Sequence, residues 1–226
     1  MRKLIIEFIE LEFNFTSQQK SKMVNLIPSP EAVMQILQKT SAYRCGHFVS
    51  RRGRHSSHYF KVPMAFHFSD NARILAVGLS RKFRMDTITA SHLPRIAVVS
   101  PSADGIPVAF SMRDALGGEQ IYWATRENGR RQFPEYIKNF DINPCIVVDD
   151  IVRSGSSLRE TYELLTNLGA KVVGFSAIIK FETAPKEIEG IEIKSLVEFD
   201  SPIYDSLEEW QAAETSDAPA ELIAEF

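Results

Sequence analysis

The chain has 226 residues, 44% of them hydrophobic and 24% charged, with a net charge of −3. These values describe an ordinary globular protein long enough for one large domain. The mild acidity argues against a chain built to coat nucleic acid or an anionic membrane.

The opening residues, "MRKLIIEFIELEF", hold an apolar run broken by Glu7, Glu10 and Glu12. No small-residue cleavage site follows, so the run does not read as a signal peptide. No stretch approaches the length of a membrane span. Met23 offers an alternative start, because the first packed element begins near Ser29. "SPEAVMQILQKT" reads as a helix with Ser29 as N-cap and Pro30 at its first position. Val33, Ile36, Leu37 and Thr40 follow helical spacing. "GHFVS" and "SHYFKV" read as two short strands joined by a basic turn over residues 51–55. "SDNARILAVGLSRKFR" reads as a helix with Ala72, Leu75, Leu79 and Phe83 on one face. Phe60, Phe66 and Phe68 are expected in the core rather than on a stacking surface.

The second half alternates strand and helix. "RIAVVS" is a strand, "PSADGIP" a loop, and "VAFSMRDAL" a helix stopped by Gly117 and Gly118. "QIYWA" is a strand and "TRENGRRQF" a polar, basic loop. "CIVVDD" is a strand, and "SSLRETYELLTNLGA" a helix with Gly169 just past its end. "KVVGFSAIIKF" and "IEIKSLVEF" are strands. Short apolar strands alternating with helices predict an α/β fold, a parallel twisted sheet flanked by helices. Ligands of such sheets bind beyond the carboxyl ends of the strands. "PSADGIP", "TRENGRRQF" and "DDIVRSGSS" leave those ends and should meet at one crevice.

Charge and cysteine placement add detail. Residues 44–84 carry nine Lys or Arg and one acid, Asp70, together with four of the five histidines. Residues 201–226 carry seven acids and no base, and this tail is expected to fray. His55 and His58 are three apart without an acid partner, so no metal site is expected there. Cys45 and Cys145 form no disulfide framework. Both sit beside apolar residues and are expected to be buried free thiols, as suits a reducing cytoplasm.

The stretch "CIVVDDIVRSGSS" holds the chemistry. Gly155 permits a tight turn. The helix behind it presents unpaired N–H groups to the loop, an arrangement that binds anions. Ser154, Ser156 and Ser157 add hydroxyls, and Arg153 adds positive charge. Asp149 and Asp150 would repel a phosphate they touched, so they suit neutral hydroxyls or magnesium. A ribose 5-phosphate meets both needs. The spacing is equally that of a strand end and a helix cap, since Ser157 and Glu160 match a capping box.

The same stretch resembles the 5-phosphoribosyl 1-diphosphate (PRPP) signature of type I phosphoribosyltransferases. Two acids follow an apolar run, and after two apolar residues and a variable one come Thr, Gly, a variable residue, and Thr or Ser. Ser154 stands where Thr is usual. "GHFVSRRGRHSSHYF", "VVSPSADGIPVAFSMRDAL" and "ETYELLTNLGAKVVGFSAIIKFE" are similar to segments of orotate phosphoribosyltransferases, and the likeness spans roughly residues 30–204. The resemblance implies the type I fold with a small N-terminal hood region. It divides the chain into an extension (1–28), a transferase domain (29–204) and an acidic tail (205–226). It implies transfer of phosphoribose from PRPP to a nitrogen base, orotate first, in pyrimidine nucleotide synthesis, with Mg2+ carried on PRPP and a homodimer as the assembly.

By the resemblance, Asp149 and Asp150 hold the ribose hydroxyls, and Ile151, Val152, Arg153, Ser154, Gly155, Ser156 and Ser157 complete the PRPP site. Ser102, Ala103, Asp104 and Gly105 face the pyrophosphate with Arg126 and Arg130, and Arg126 joins the two acids as a catalytic residue. Arg159 and His55 contact the base. Several positions depart from the family pattern. Thr125 replaces the Arg of an Arg-Lys pair, and Arg126 falls on its Lys. The Lys and His of the mobile hood loop are absent. Asp104 stands where a neutral or basic residue is commoner, and His55 where a Lys is usual. These departures keep open a PRPP-binding regulatory protein on the same fold.

Overall fold

The computed structural model describes residues 27–135, 137, 142, 144–214 and 219–223. The expectations for the N-terminal apolar run and for Met23 lie outside them. Helix α1 (Pro30–Lys39) starts as its sequence dictates: the Ala32 N–H donates to Ser29 Oγ at 3.3 Å, and Val33 and Leu37 are buried. Strands β1 (Tyr43–Ser50) and β2 (His55–Phe60) pair antiparallel. A short α2 (Pro63–Phe66) leads into α3 (Ser69–Arg84) and α4 (Thr87–Ala90). Leu75, Leu79 and Phe83 of α3 are fully buried, whereas Ala72 is only half-buried.

Then come β3 (Ala97–Ser100), α5 (Ile106–Leu116) and β4 (Gln120–Trp123). Next are β5 (Thr125–Glu127), β6 (Arg130–Gln132), β7 (Cys145–Val152) and α6 (Ser156–Asn167). Strands β8 (Val172–Phe181), β9 (Glu187–Ile188) and β10 (Ile191–Phe199) follow, and α7 (Leu207–Ala213) and β11 (Ala220–Ile223) come last.

The main sheet has six strands in the order β4-β3-β7-β8-β10-β9, parallel except for the β9 edge. Its strands feed two cores, because side chains alternate across a strand. Val98, Ile146 and Val148 face one core, with α1, α3 and α5. Val99, Cys145 and Val147 face the other, with α6. This is the α/β architecture the sequence predicts.

Four expectations need correction. "TRENGRRQF" contains a hairpin, β5 with β6, because Asn128 and Gly129 both take positive φ (51° and 76°) and close a two-residue turn. Described parts of the acidic tail dock on the hood: β11 pairs parallel with β1, and Trp210 of α7 is 2% exposed. Cys45 is exposed, and only Cys145 is the buried thiol. Phe68 is 57% exposed, just ahead of α3, whereas Phe60 is buried and Phe66 packs on the core.

Candidate functional site

The connection β3–α5–β4 turns one way along the sheet and β7–α6–β8 the other, with α5 and α6 on opposite faces. The strand order therefore switches between β3 and β7, where doubly wound sheets leave a crevice. A cleft of about 480 Å³ lies there. Its walls are residues 102–104 after β3, residues 149–158 from the end of β7 into α6, and Tyr59, Phe60 and Lys61 of the hood.

Asp149 and Asp150 are 3% and 7% exposed. Ser102 Oγ donates to Asp149 Oδ1 at 2.6 Å, and the Asp150 N–H donates to the same oxygen at 3.0 Å. The Gly105 N–H in turn donates to Ser102 Oγ, and Ser100 Oγ to the Ser102 carbonyl. Asp149 therefore clamps the 102–105 loop as well as facing the cleft. The approach is so close that a Cβ on Gly105 would fall 2.6 Å from both Asp149 Oδ1 and Ser100 Oγ. Burial raises the Asp149 carboxyl pKa, opposed by its hydrogen bond from Ser102. The Asp150 pKa goes well above the usual range, through burial first and then the charges of Asp149 and Asp104. Three acids around one cleft make a negative field that hydroxyl donors or a cation would relieve.

The loop after β7 folds as its small residues require. Gly155 takes φ +74° as N-cap of α6, and a Cβ there would also meet Pro185 at 2.9 Å. No side chain caps α6. The capping box expected from Ser157 and Glu160 does not form. Arg131 Nη2 donates to Ser157 Oγ at 2.9 Å and Arg131 Nε to Glu160 Oε2 at 3.0 Å, so the hairpin takes both residues. The Ser156 N–H donates to Ser154 Oγ at 3.4 Å, and the Ser154 and Ser156 hydroxyls lie 3.1 Å apart; the other N–H groups of a first helical turn have no intrahelical acceptor and suit an anion.

Of the predicted residues, Ser102, Ala103, Asp104, Asp149, Asp150, Ile151, Val152, Arg153, Ser154, Gly155, Ser156 and Ser157 line the cleft together. Gly105 lies directly beneath the acids. Four others lie off it. Arg126 reaches Glu160 at 3.4 Å, Arg130 is exposed on the hairpin, and Arg159 pairs with Glu189 at 3.6 Å. His55 Nδ1 is 2.7 Å from His47 Nε2, and the His55 backbone bonds both ways with Tyr204.

Four cleft residues, Tyr59, Phe60, Lys61 and Leu158, escaped the sequence reading of the site, and Lys61 is the charged one. Lys61 Nζ lies 2.6 Å from Asp104 Oδ2. Burial pulls the ammonium pKa down, but the Asp104 hydrogen bond and charge outweigh it and the net shift is upward. The only signal was a lysine at the end of an aromatic strand in a basic segment. Among the described residues no cluster of three or more His, Cys, Asp or Glu is arranged to hold a metal ion, and no helix is long and apolar enough to cross a membrane.

Comparison with known proteins matches residues 91–203 to a phosphoribosyl transferase domain. The chain is similar to an orotate phosphoribosyltransferase of Thermotoga petrophila, 31% identical over 176 residues, covering 76% of this chain and 88% of the relative. It is also similar to one of Bartonella henselae, 30% identical over 83% of this chain and 93% of that one. Among solved structures, the crystal structure of orotate phosphoribosyltransferase from Aeropyrum pernix superposes with a TM-score of 0.59 at 20% identity. It covers 74% of this chain and 93% of its own.

Proposed function

The chain belongs to the phosphoribosyltransferase family, and on that footing we propose that it transfers 5-phosphoribose from PRPP to a ring nitrogen of orotate, releasing pyrophosphate, as a step of pyrimidine nucleotide synthesis. The observation that carries the reading is the cleft itself. Buried Asp149 and Asp150 stand between an anion-accepting helix start and the 102–105 loop. In this reading the 5-phosphate takes the loop of residues 153–157 and the first-turn N–H groups of α6. The ribose hydroxyls donate to the two acids. The pyrophosphate lies along residues 102–105, with Lys61 as the nearby cation.

The chemistry is charge management. The bond from the anomeric carbon to pyrophosphate breaks, the sugar ring takes on oxocarbenium character, and the base nitrogen forms the new bond from the opposite face. Asp149 and Asp150 stabilise the positive ring electrostatically, and the cleft holds the reactants in line. Magnesium would fit the site as a passenger on PRPP, with the carboxylate oxygens of Asp104 and Asp150 to hold it, since burial first and then the neighbouring acids raise Asp150 and a cation would relieve them. When bound it would neutralise charge on the leaving pyrophosphate. Arg126 and Arg130 of the hairpin are the remaining cations for that group, and Arg126 must leave Glu160 to serve it. We take a cytoplasmic homodimer as the working assembly.

The test is pyrophosphate release from PRPP and magnesium with a panel of bases. Turnover is expected with orotate, and no turnover with any base overturns the transferase reading. Two observations favour a second reading: Arg126 is paired with Glu160, and the hood loop lacks its Lys and His. A PRPP-binding regulator would bind PRPP in calorimetry without turnover, whereas absence of PRPP binding defeats both readings.

A further inference from the structure

The hairpin of β5 and β6 carries three arginines, and they differ in how they are held. Arg130 is exposed, and Arg126 is exposed and reaches Glu160 only at 3.4 Å. The Arg131 side chain is 4% exposed. Its Nε lies 3.0 Å from Glu160 Oε2, and its Nη2 donates to Ser157 Oγ at 2.9 Å. One planar fork thus spans two residues of α6, and both partners fix its rotamer. Glu160 is shared with Arg126, so one carboxylate faces two guanidinium groups and positive charge is left over beside the start of α6. That charge reaches the cleft. Burial is the largest influence on the Asp149 carboxyl and raises its pKa, and the Arg131 charge is among those that oppose it.

The bond to Ser157 sets the direction of a hydroxyl. A serine hydroxyl has one proton to donate and two lone pairs to accept with, and a guanidinium only donates. Arg131 therefore occupies a lone pair and leaves the Ser157 proton for another acceptor. Among the described residues that proton has none. Ser157 lies in the first turn of α6 and lines the cleft. Had Ser157 and Glu160 formed their capping box, the Ser157 oxygen would have served the helix itself. Arg131 diverts both residues from 26 positions before Ser157, so the geometry of this hydroxyl is set by the docked hairpin and not by the local sequence.

We propose that Arg131 is a positioning residue for the 5-phosphate of PRPP: Glu160 holds Arg131, and Arg131 holds the Ser157 hydroxyl as a donor facing the cleft. Arg131 bonds Ser157 and not the ligand. The hairpin then braces the phosphate end of the cleft, a task separate from that of Arg126 and Arg130 toward pyrophosphate. This rests on the reading that places the 5-phosphate at residues 153–157.

The experiment is calorimetry of PRPP with magnesium on Arg131→Gln, Ser157→Ala and the double variant. Arg131→Gln is expected to weaken PRPP binding about tenfold, the scale of one charge-assisted hydrogen bond. Because Arg131 acts through Ser157, the double variant should bind no more than about twofold more weakly than the weaker single variant, whereas independent contacts multiply their effects. A multiplied loss overturns the proposal, and so does parental PRPP affinity in Arg131→Gln. Pyrophosphate with magnesium is the control ligand, and Arg131→Gln should leave its affinity within about twofold, as for a distant, uncoupled site. Equal weakening of PRPP and pyrophosphate would make Arg131 a general charge or a structural support and overturn the positioning role. Arg131→Lys covers the case in which the Gln variant does not fold. It keeps the charge but cannot hold Ser157 and Glu160 in one planar fork. Weakened PRPP binding in Arg131→Lys supports the positioning role, and parental affinity overturns it. An unmodified protein that binds no PRPP defeats the reading of the site and the role of Arg131 with it. An unmodified protein that binds PRPP while the two substitutions act independently defeats the role of Arg131 alone.

Discussion

Gly105 and Asp149 are held so tightly that the smallest side chain would part them. An alanine at 105 places its Cβ against Asp149 Oδ1 and Ser100 Oγ, two atoms that cannot swing away without breaking the Ser102 bonds. The loop must lift, and overpacking of this kind costs about 1–3 kcal/mol. Gly105→Ala should therefore weaken PRPP binding roughly tenfold in calorimetry with an unchanged far-UV spectrum. The acids have the complementary role. Asp149→Asn with Asp150→Asn should slow turnover by roughly a hundredfold, measured as pyrophosphate release in a single turnover. Unchanged rates would show that the ribose lies elsewhere. Both acids and Gly155 were legible because their neighbours in sequence are their neighbours in the site. Ser157 and Glu160 were misread for the opposite reason. A capping box is a local rule, and Arg131, 26 residues before Ser157, displaced it. Lys61 was hidden in the same way, since its partner Asp104 is 43 residues on.

At the level of elements, the order of strands and helices in the main sheet was open to inspection, because short apolar runs alternate with helical periods. The hairpin of β5 and β6 was not, although Asn128-Gly129 is a strong turn signal. Its strands are three residues each and its faces are charged, so no alternation marks them. Tertiary contact supplies what the strands lack. The Arg131 side chain is 4% exposed, and Glu160 is its counter-charge. Replacing Glu160 with Gln leaves a nearly buried guanidinium with a neutral acceptor and frees Arg126. The hairpin should loosen at a cost of roughly 2 kcal/mol, the scale of a hydrogen bond to a charged group. Trypsin should then cut after Arg130 or Arg131 faster than in the parent. Equal cutting rates would show that the hairpin stands without Glu160.

Over the whole molecule, the basic segment near the start and the acidic segment at the end were legible as compositions but not as partners. They meet in the hood sheet. β11 lies parallel to β1, and Arg44 takes both carboxylate oxygens of Glu221, 177 residues away. No local pattern encodes so distant a pairing. Charge does not dominate its energy, because the Arg44 and Glu221 side chains are 38% and 50% exposed and such pairs contribute about 0–1 kcal/mol. Trp210 is the anchor. Its ring stacks on His47 at 3.7 Å with a 9° tilt, and its Nε1–H donates to Ser57 Oγ at 2.9 Å. Trp210→Ala removes both, a loss of about 3 kcal/mol at a buried aromatic. That corresponds to a fall in Tm of about 6–12 °C for a chain of this size. Raising the salt concentration should lower Tm far less, since salt screens only the exposed pair. The hood strand β2 leads directly into Phe60 and Lys61 on the cleft wall. A loosened hood should therefore weaken ligand binding while Asp149 and Asp150, set in the main sheet, stay in place. A Trp210→Ala protein with parental Tm, or one that melts early yet binds PRPP as tightly as the parent, would show that the tail decorates the hood rather than bracing it.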